Sequence, residues 1–257
     1  MAKVITLFNQ SGGVGKSTLT MNLGYHLAQR EQRILLVDMD PQASLTVFMG
    51  LLIAQLQETV ADAILQESPL PIQHLKGDWD RVDIAPTNIN LSAADMRLVQ
   101  EVAREFRLKE SLEPHLEKYD FILVDAPPSL GILSVLAMVA ADWLLVPIQT
   151  QYKAYMGTDL LLQSVSKVKQ KVNRKLEIVG VVPTMYDSRN SMDGETLDSI
   201  KEQLAKIAKI YPPIPRATAF ADASALHRPF ALCTSKKHPA IAVLNEIASD
   251  LLKKVNG

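Results

Sequence analysis

Ser11-Gly12-Gly13-Val14-Gly15-Lys16-Ser17-Thr18 lies between a short apolar run, Val4–Phe8, and a segment of helical period over residues 16–30. A strand, a glycine turn and a helix in direct succession let backbone N–H groups curl around an oxyanion, with the helix N-terminus adding its positive end. In that order Lys16 reaches β- and γ-phosphates, Ser17 ligates Mg²⁺ through its hydroxyl, and Thr18 lies near an α-phosphate. The competing reading, a glycine turn with an incidental lysine, does not account for the flanking strand and helix. A dinucleotide fingerprint fails, because the third glycine of G-x-G-x-x-G falls on Thr18. The loop therefore predicts a nucleoside triphosphate site at Ser11–Thr18 and calls for a parallel sheet behind it.

The rest of the chain supplies that sheet. Val4–Phe8, Arg33–Asp38, Val82–Ala85, Phe121–Asp125, Trp143–Ile148 and Leu176–Val182 are short runs rich in Val, Ile and Leu, as expected of parallel strands covered on both faces. Helical patterns separate them at about 16–30, 55–66, 91–113, 131–141, 157–173 and 194–209, with a last one at 239–255. This alternation predicts an α/β fold of the P-loop NTPase type, a twisted, mostly parallel sheet with helices on both faces. The 257 residues carry no repeat and no Gly/Ser linker, so the expectation is one domain over 1–257. A single cysteine, Cys233, excludes a disulfide framework and any cluster built from several thiolates of one chain. With 27 Lys+Arg against 28 Asp+Glu the chain is no polycation, and a nucleic-acid surface would have to be a local patch. Leu130–Ile148 is interrupted by Asp142 and Pro147, so it reads as a buried helix and strand rather than a span, and the expectation is a soluble, cytoplasmic protein.

Acidic residues stand at two strand ends. Phe121-Ile122-Leu123-Val124-Asp125 places a carboxylate where P-loop proteins hold Mg²⁺, and Pro127-Pro128 argue against Asp125 being a helix cap. No Glu follows Asp125, so the common carboxylate base is missing there and slow turnover is expected. In Asp38-Met39-Asp40-Pro41-Gln42 the i, i+2 spacing points both carboxylates one way on an extended chain, suited to orienting a water or joining the outer Mg²⁺ shell.

Taken together, these residues resemble the ParA/MinD-type ATPases with a deviant phosphate loop. Asn9-Gln10-x-Gly12-Gly13-Val14-Gly15-Lys16-Ser17-Thr18, Val37-Asp38-Met39-Asp40-Pro41-Gln42 and Val124-Asp125-Ala126-Pro127-Pro128 carry the resemblance. Thr87-Asn88-Ile89-Asn90-Leu91, Thr184-Met185-Tyr186-Asp187-Ser188-Arg189 and Ile214-Pro215-Arg216 extend it, over about residues 3–254. The resemblance implies an ATP-sandwich homodimer that binds DNA without sequence preference. An adaptor protein would stimulate hydrolysis and link the dimer to cargo, giving a nucleoid-associated positioning system. It assigns Asp40 to the attacking water, Asp38 and Asp125 to the metal, and Met185, Pro213 and Pro215 to the adenine. Lys16, Asp38 and Asp40 are the catalytic candidates.

One position departs from the family. Its signature lysine, which reaches the partner subunit's phosphates, should stand at 11, where this chain has Ser11. Lys153, in Gln151-Tyr152-Lys153-Ala154, is the candidate replacement, with a solvated loop lysine as the competing reading. A serine there resembles the branch that distributes carboxysomes; plasmid or chromosome cargo is the other expectation.

Lys167, Lys171, Arg174 and Lys175 recur at i, i+4, i+7 and i+8, one face of a helix whose other face carries Val165, Val168 and Val172. They are DNA-binding candidates, together with Arg189 and Arg216, which match positions at or near DNA in relatives; an ordinary solvated face is the alternative. A MinD-like membrane ATPase needs an amphipathic basic tail. The segment 243–257 contains Glu246 and Asp250 and lacks aromatics, so no membrane partner is expected.

Overall fold

The computed structural model describes residues 1–151 and 157–256. Its strands are β1 (Lys3–Leu7), β2 (Ile34–Asp38), β3 (Gln73–His74), β4 (Val82–Ala85), β5 (Phe121–Asp125), β6 (Trp143–Gln149) and β7 (Glu177–Thr184). Its α-helices are α1 (Lys16–Ala28), α2 (Ser44–Phe48), α3 (Val60–Gln66), α4 (Asn90–Leu98), α5 (Arg107–Leu112) and α6 (Ile132–Ala140). They continue with α7 (Thr158–Lys171), α8 (Ser191–Leu204), α9 (Ala219–Ala225), α10 (Phe230–Cys233) and α11 (Pro239–Asn256). Among the described residues seven strands form one sheet in the order β3-β4-β2-β5-β1-β6-β7. Every pairing is parallel except β3 with β4.

Alternation along the strands divides the core. Val4, Leu35, Val37, Ile122 and Val124 face α3 to α8, while Ile5, Leu7, Leu36, Phe121 and Leu123 face α1, α2 and α11. Burial on both faces explains why the central strands read as continuous apolar runs. The α/β expectation is met. Because β1 pairs with β5 on one side and β6 on the other, the loop after β1 opens at the crevice where the crossovers part. The register sets Leu7 beside Asp125 and Asp125 beside Asp38, so three strands end at one level.

Helices α2, α9 and α10 answer to no expected pattern, the helix expected over 55–66 begins at Val60, and three further features differ from the sequence expectation. The helix over 91–113 is broken: α4 ends at Leu98, Ala103 takes φ 55°, and α5 begins at Arg107. Arg104 caps the break by donating to the carbonyls of Leu98 and Val99, and buried Arg107 pairs with Glu67 and Glu101. The chain is drawn back onto α3 instead of running straight. Secondly, β3 joins the sheet as a two-residue antiparallel edge, too short to leave a strand pattern. Lastly, α8 begins at Ser191, because Asn190 caps it by accepting from the Met192 N–H.

Gly180 in β7 is required by packing. A Cβ there would stand 2.4 Å from Tyr211 Cε2 and 3.3 Å from Leu145 Cδ1. The Tyr211 ring is buried and cannot swing away. Gly180→Ala is predicted to destabilise the protein by about 1–3 kcal/mol, the usual range for overpacking. Thermal unfolding should show a melting temperature several degrees lower, and an unchanged value would show that the ring yields.

Candidate functional site

The glycine loop is held from both sides of the crevice. Buried Asn9 donates from Nδ2 to the Pro147 carbonyl at 2.7 Å and accepts the Ser11 N–H at 2.9 Å. On the far side Thr184 Oγ1 donates to the Val14 carbonyl at 2.8 Å. Gly13 and Gly15 adopt φ +72° and +89°, a region open to glycine without steric cost, and nothing lies within 4 Å of where a Cβ would sit. The loop thus stays concave and open. Among the described residues no side chain caps α1 and no acid stands in its first turn, an arrangement that suits its leading N–H groups to an anion.

Lys16 is buried, with Nζ donating to the carbonyls of Asn9 at 3.1 Å and Ser11 at 3.0 Å. Burial pulls its pKa below the usual lysine value, against the opposing attraction of Asp125 and Asp40. The ammonium therefore rests on two neutral carbonyls within a field of carboxylates.

Asp125 has no measurable exposure, and among the described residues neither of its oxygens finds a hydrogen-bond partner. Ser17 stands close enough to lower its pKa but outside hydrogen-bonding geometry. Burial, followed by repulsion from Asp38, drives the carboxyl well above the normal range. Partnerless buried oxygens beside a hydroxyl suit a cation bound from the loop side. Among the described residues no group of three His, Cys, Asp or Glu side chains could enclose a metal alone. This fits Mg²⁺, which takes one or two protein oxygens and completes its octahedron with waters and phosphate oxygens. Ser17 and Asp125 are the residues that would hold it.

Asp38 is equally buried but differently employed. Its Oδ2 accepts from Thr46 N–H at 2.8 Å and Thr46 Oγ1 at 2.7 Å, while Oδ1 accepts from Asp40 N–H at 3.1 Å. Burial pushes its pKa up to about 6 despite those bonds. Most of its lone pairs are spent fastening α2 and the Asp40 turn to the end of β2. Asp40 is at the margin of burial, and its Oδ1 accepts the Gln42 N–H at 3.0 Å. Among the described residues its other oxygen accepts no hydrogen bond.

A cleft of about 320 Å³ continues from Gly15 and Thr18, walled by Asn22, Met185, Ile214, Pro215 and Phe220. Met185 and Pro215 thus line it, with Met185 at a left-handed φ of 56°. Pro213 does not; it lines a neighbouring groove with Tyr186, Asp187, Arg189 and Arg216. Sequence reading missed Asn22, one helical turn beyond Thr18, a spacing that could have flagged it. It also missed Thr46, whose bond to Asp38 spans a turn and leaves no motif.

The basic candidates are all exposed. Lys167 and Lys171 lie on α7, with Val165 and Val168 buried behind them. The helix ends at Lys171, however, so Arg174 and Lys175 sit in the turn before β7 and not on the same helix face. The break follows from Asn173, whose amide donates to the carbonyls of Met138, Val139 and Ala141. Among the described residues none of these four cations forms an ion pair. Arg189, by contrast, is paired with Asp187 at 2.9 Å and, through its hydrogen bonds, holds that carboxyl at about 2. Lys153 lies outside the described residues.

Comparison with known proteins extends this picture. The family profile described as an AAA domain matches residues 2–178. The chain is 35% identical over 257 residues to the sporulation initiation inhibitor protein Soj of Bacillus subtilis (strain 168), covering 99% of this chain and 98% of Soj. It is also 35% identical over 233 residues to the chromosome partitioning protein ParA of Caulobacter vibrioides, covering 90% and 86%. A cobyrinic acid a,c-diamide synthase from Mycobacterium smegmatis, solved with ADP and magnesium, superposes with a TM-score of 0.84 at 29% identity, covering 100% of this chain and 96% of that one.

The carboxylate pair predicts a pH dependence. Asp38 and Asp125 have raised pKa values in the folded state, so between pH about 4 and each folded value the fold keeps protons that the unfolded chain has released. Their contribution to stability is therefore lost as pH rises through that window, and the penalty is complete above it. In nucleotide-free, metal-free protein, Asp125→Asn should melt a few degrees above the wild type at pH 7.5, the gap closing towards pH 4. A gap that does not vary with pH would contradict the assignment.

Proposed function

Because the chain belongs to the ParA/MinD-type P-loop ATPases, we propose that it is a positioning ATPase that binds ATP and Mg²⁺, closes into an ATP-sandwich homodimer and holds duplex DNA without sequence preference. Hydrolysis stimulated by an adaptor protein releases it, distributing cargo over the nucleoid. The observation that carries this reading is the whole-length similarity to Soj and ParA, joined to a glycine loop facing a partnerless carboxylate.

The residues divide the work. Backbone N–H groups of Gly12–Gly15 and the start of α1 receive phosphate oxygens, and Lys16 leaves the Asn9 and Ser11 carbonyls to meet them. Ser17 and Asp125 would hold Mg²⁺, which when bound neutralises charge on the β- and γ-phosphate oxygens. Asp40 orients the attacking water through its free oxygen, and Asp38 keeps that turn in place through Thr46. Met185 and Pro215 pack against the base. With no stronger base in the set, unstimulated turnover falls far below the ~10 s⁻¹ median of enzymes.

Face-to-face closure is supported by apolar side chains beyond strand ends on the same side of the parallel sheet as the site. Ile89 follows β4 and is 64% exposed; Leu130 follows β5 and is 46% exposed. A membrane role finds less support. Val243, Leu244, Ile247 and Leu251 of α11 are buried in the core cluster shared with α1, and no described helix is long and apolar enough to cross a bilayer. Chromosome or plasmid DNA is the favoured cargo, after the partition relatives; carboxysomes, suggested by Ser11, come second.

The test is binding to a random-sequence duplex without nucleotide, with ADP and with ATP, at two salt concentrations. Tight binding is expected only with ATP and should weaken steeply with salt. The double variant Lys167→Ala/Lys171→Ala, which removes these side chains from both subunits, should lower the log–log salt slope by roughly 3–4. Equal binding with ADP and ATP would overturn the reading. For the missing signature lysine, Lys153→Ala is expected to abolish ATP-dependent dimerisation in sedimentation velocity. An intact dimer would remove Lys153 from the role.

A further inference from the structure

A buried carboxylate outside the nucleotide site ties together the end of β6 and the loop between β7 and α8. Asp193, in the first turn of α8, is 4% exposed, and among the described residues no basic side chain pairs with it. Its Oδ1 accepts from Asn190 Nδ2 at 2.8 Å. Its Oδ2 accepts from Asp187 N–H at 2.9 Å and from Thr150 Oγ1 at 3.2 Å. A charge buried without a cation is costly, and local capping alone would be served by a neutral amide. What the carboxylate adds is enough acceptor capacity to bind the β7–α8 loop and the end of β6 at once.

The connection continues in both directions. Thr150 N–H donates to the Thr184 carbonyl at 3.0 Å, and Thr184 Oγ1 donates to the carbonyl of Val14 in the glycine loop. The Thr150 hydroxyl also lies 3.3 Å from the Thr184 carbonyl, but it has one proton, and the carboxylate is the stronger acceptor. On the other side Asp187, whose N–H is held by Asp193, grips Arg189 through its backbone N–H, Nε and Nη2. Between the two ends sits Met185, at a backbone angle that a side chain tolerates only when its neighbours fix it. Tyr186 supplies the second anchor, its N–H donating to Ile214 and its carbonyl accepting from Arg216. A continuous set of hydrogen bonds thus joins the glycine loop to Arg189 by way of the wall of the base cleft.

We propose that Asp193 is a positioning residue that, through Thr150 and Thr184, makes the placement of the loop 185–190 and of Arg189 depend on nucleotide at the glycine loop. Nucleotide that draws Val14–Lys16 around its phosphates pulls on Thr184, and Asp193 transmits the shift to Asp187 and Arg189. The proposal rests on the DNA-binding reading for its functional consequence but not for its structural content. Coupling of this kind requires an element that both ends bias, and the 185–190 loop is that element.

The test follows hydrogen exchange in peptides covering 185–190, with and without a nonhydrolysable ATP analogue and Mg²⁺, in wild type, Thr150→Val and Asp193→Ala. Thr150→Val cuts the link to β6 and leaves the cap on Asp187 and Asn190 untouched, so it separates coupling from local structure. The wild type should slow on adding the analogue. Thr150→Val should exchange like the wild type without nucleotide but gain little protection with it, and Asp193→Ala should exchange roughly tenfold faster in both states. Affinity for the analogue should stay within about threefold in Thr150→Val, while its ATP-dependent gain in affinity for a random-sequence duplex drops by about tenfold. Equal protection in Thr150→Val and wild type, or no protection in the wild type, would overturn the proposal. If the wild type is protected yet binds no duplex in any state, the coupling stands and the DNA reading falls.

Discussion

Asp38 and Asp125 stand on adjacent strands at the same register, cut off from water, and among the described residues no cation forms an ion pair with either. Burial and repulsion between neighbouring carboxylates in that position hold both carboxyls above the usual carboxylate range. The remainder of the site answers to that environment. The glycine loop presents N–H groups, Lys16 is within reach, and Thr46 with Asp40 N–H relieves Asp38 alone. Asp125 is left for a ligand to satisfy.

This arrangement sets the division of labour between the acids. Asp38 is saturated enough to act as a strut for α2 and the following turn, while Asp40 keeps an oxygen free at the rim. A sequence cannot separate these roles, because both residues belong to the same five-residue motif. The separation comes from Thr46, eight residues downstream, which returns to β2 only because α2 packs there.

Elements whose causes are local were legible. The central strands announced themselves because both faces are buried, and the glycine loop because its chemistry fixes residue type and spacing together. What stayed hidden depends on contacts distant in sequence. The break after α4 needs Arg107 to find Glu67 and Glu101. The stop of α7 needs Asn173 to reach three carbonyls around the end of α6, so Arg174 and Lys175 leave a helix face that periodicity had drawn for them. Pro213, which the resemblance groups with Met185 and Pro215, lines a neighbouring groove, while Pro215 lines both that groove and the cleft. Asn22 was within reach of a periodicity argument that stopped at the motif's last residue.

The sheet edges carry a further consequence. At one edge β3 is only two residues long and runs against its neighbour; at the other, β7 is met by Ile210 and, just past its end, Tyr186 by Pro215, in isolated bridges. Neither edge presents a long flat ladder of unpaired N–H and C=O groups to another chain. Open edges of that kind are templates on which copies of a chain pair strand to strand. With both edges blunted, association of copies through the sheet is disfavoured, and any contact between them must use another surface.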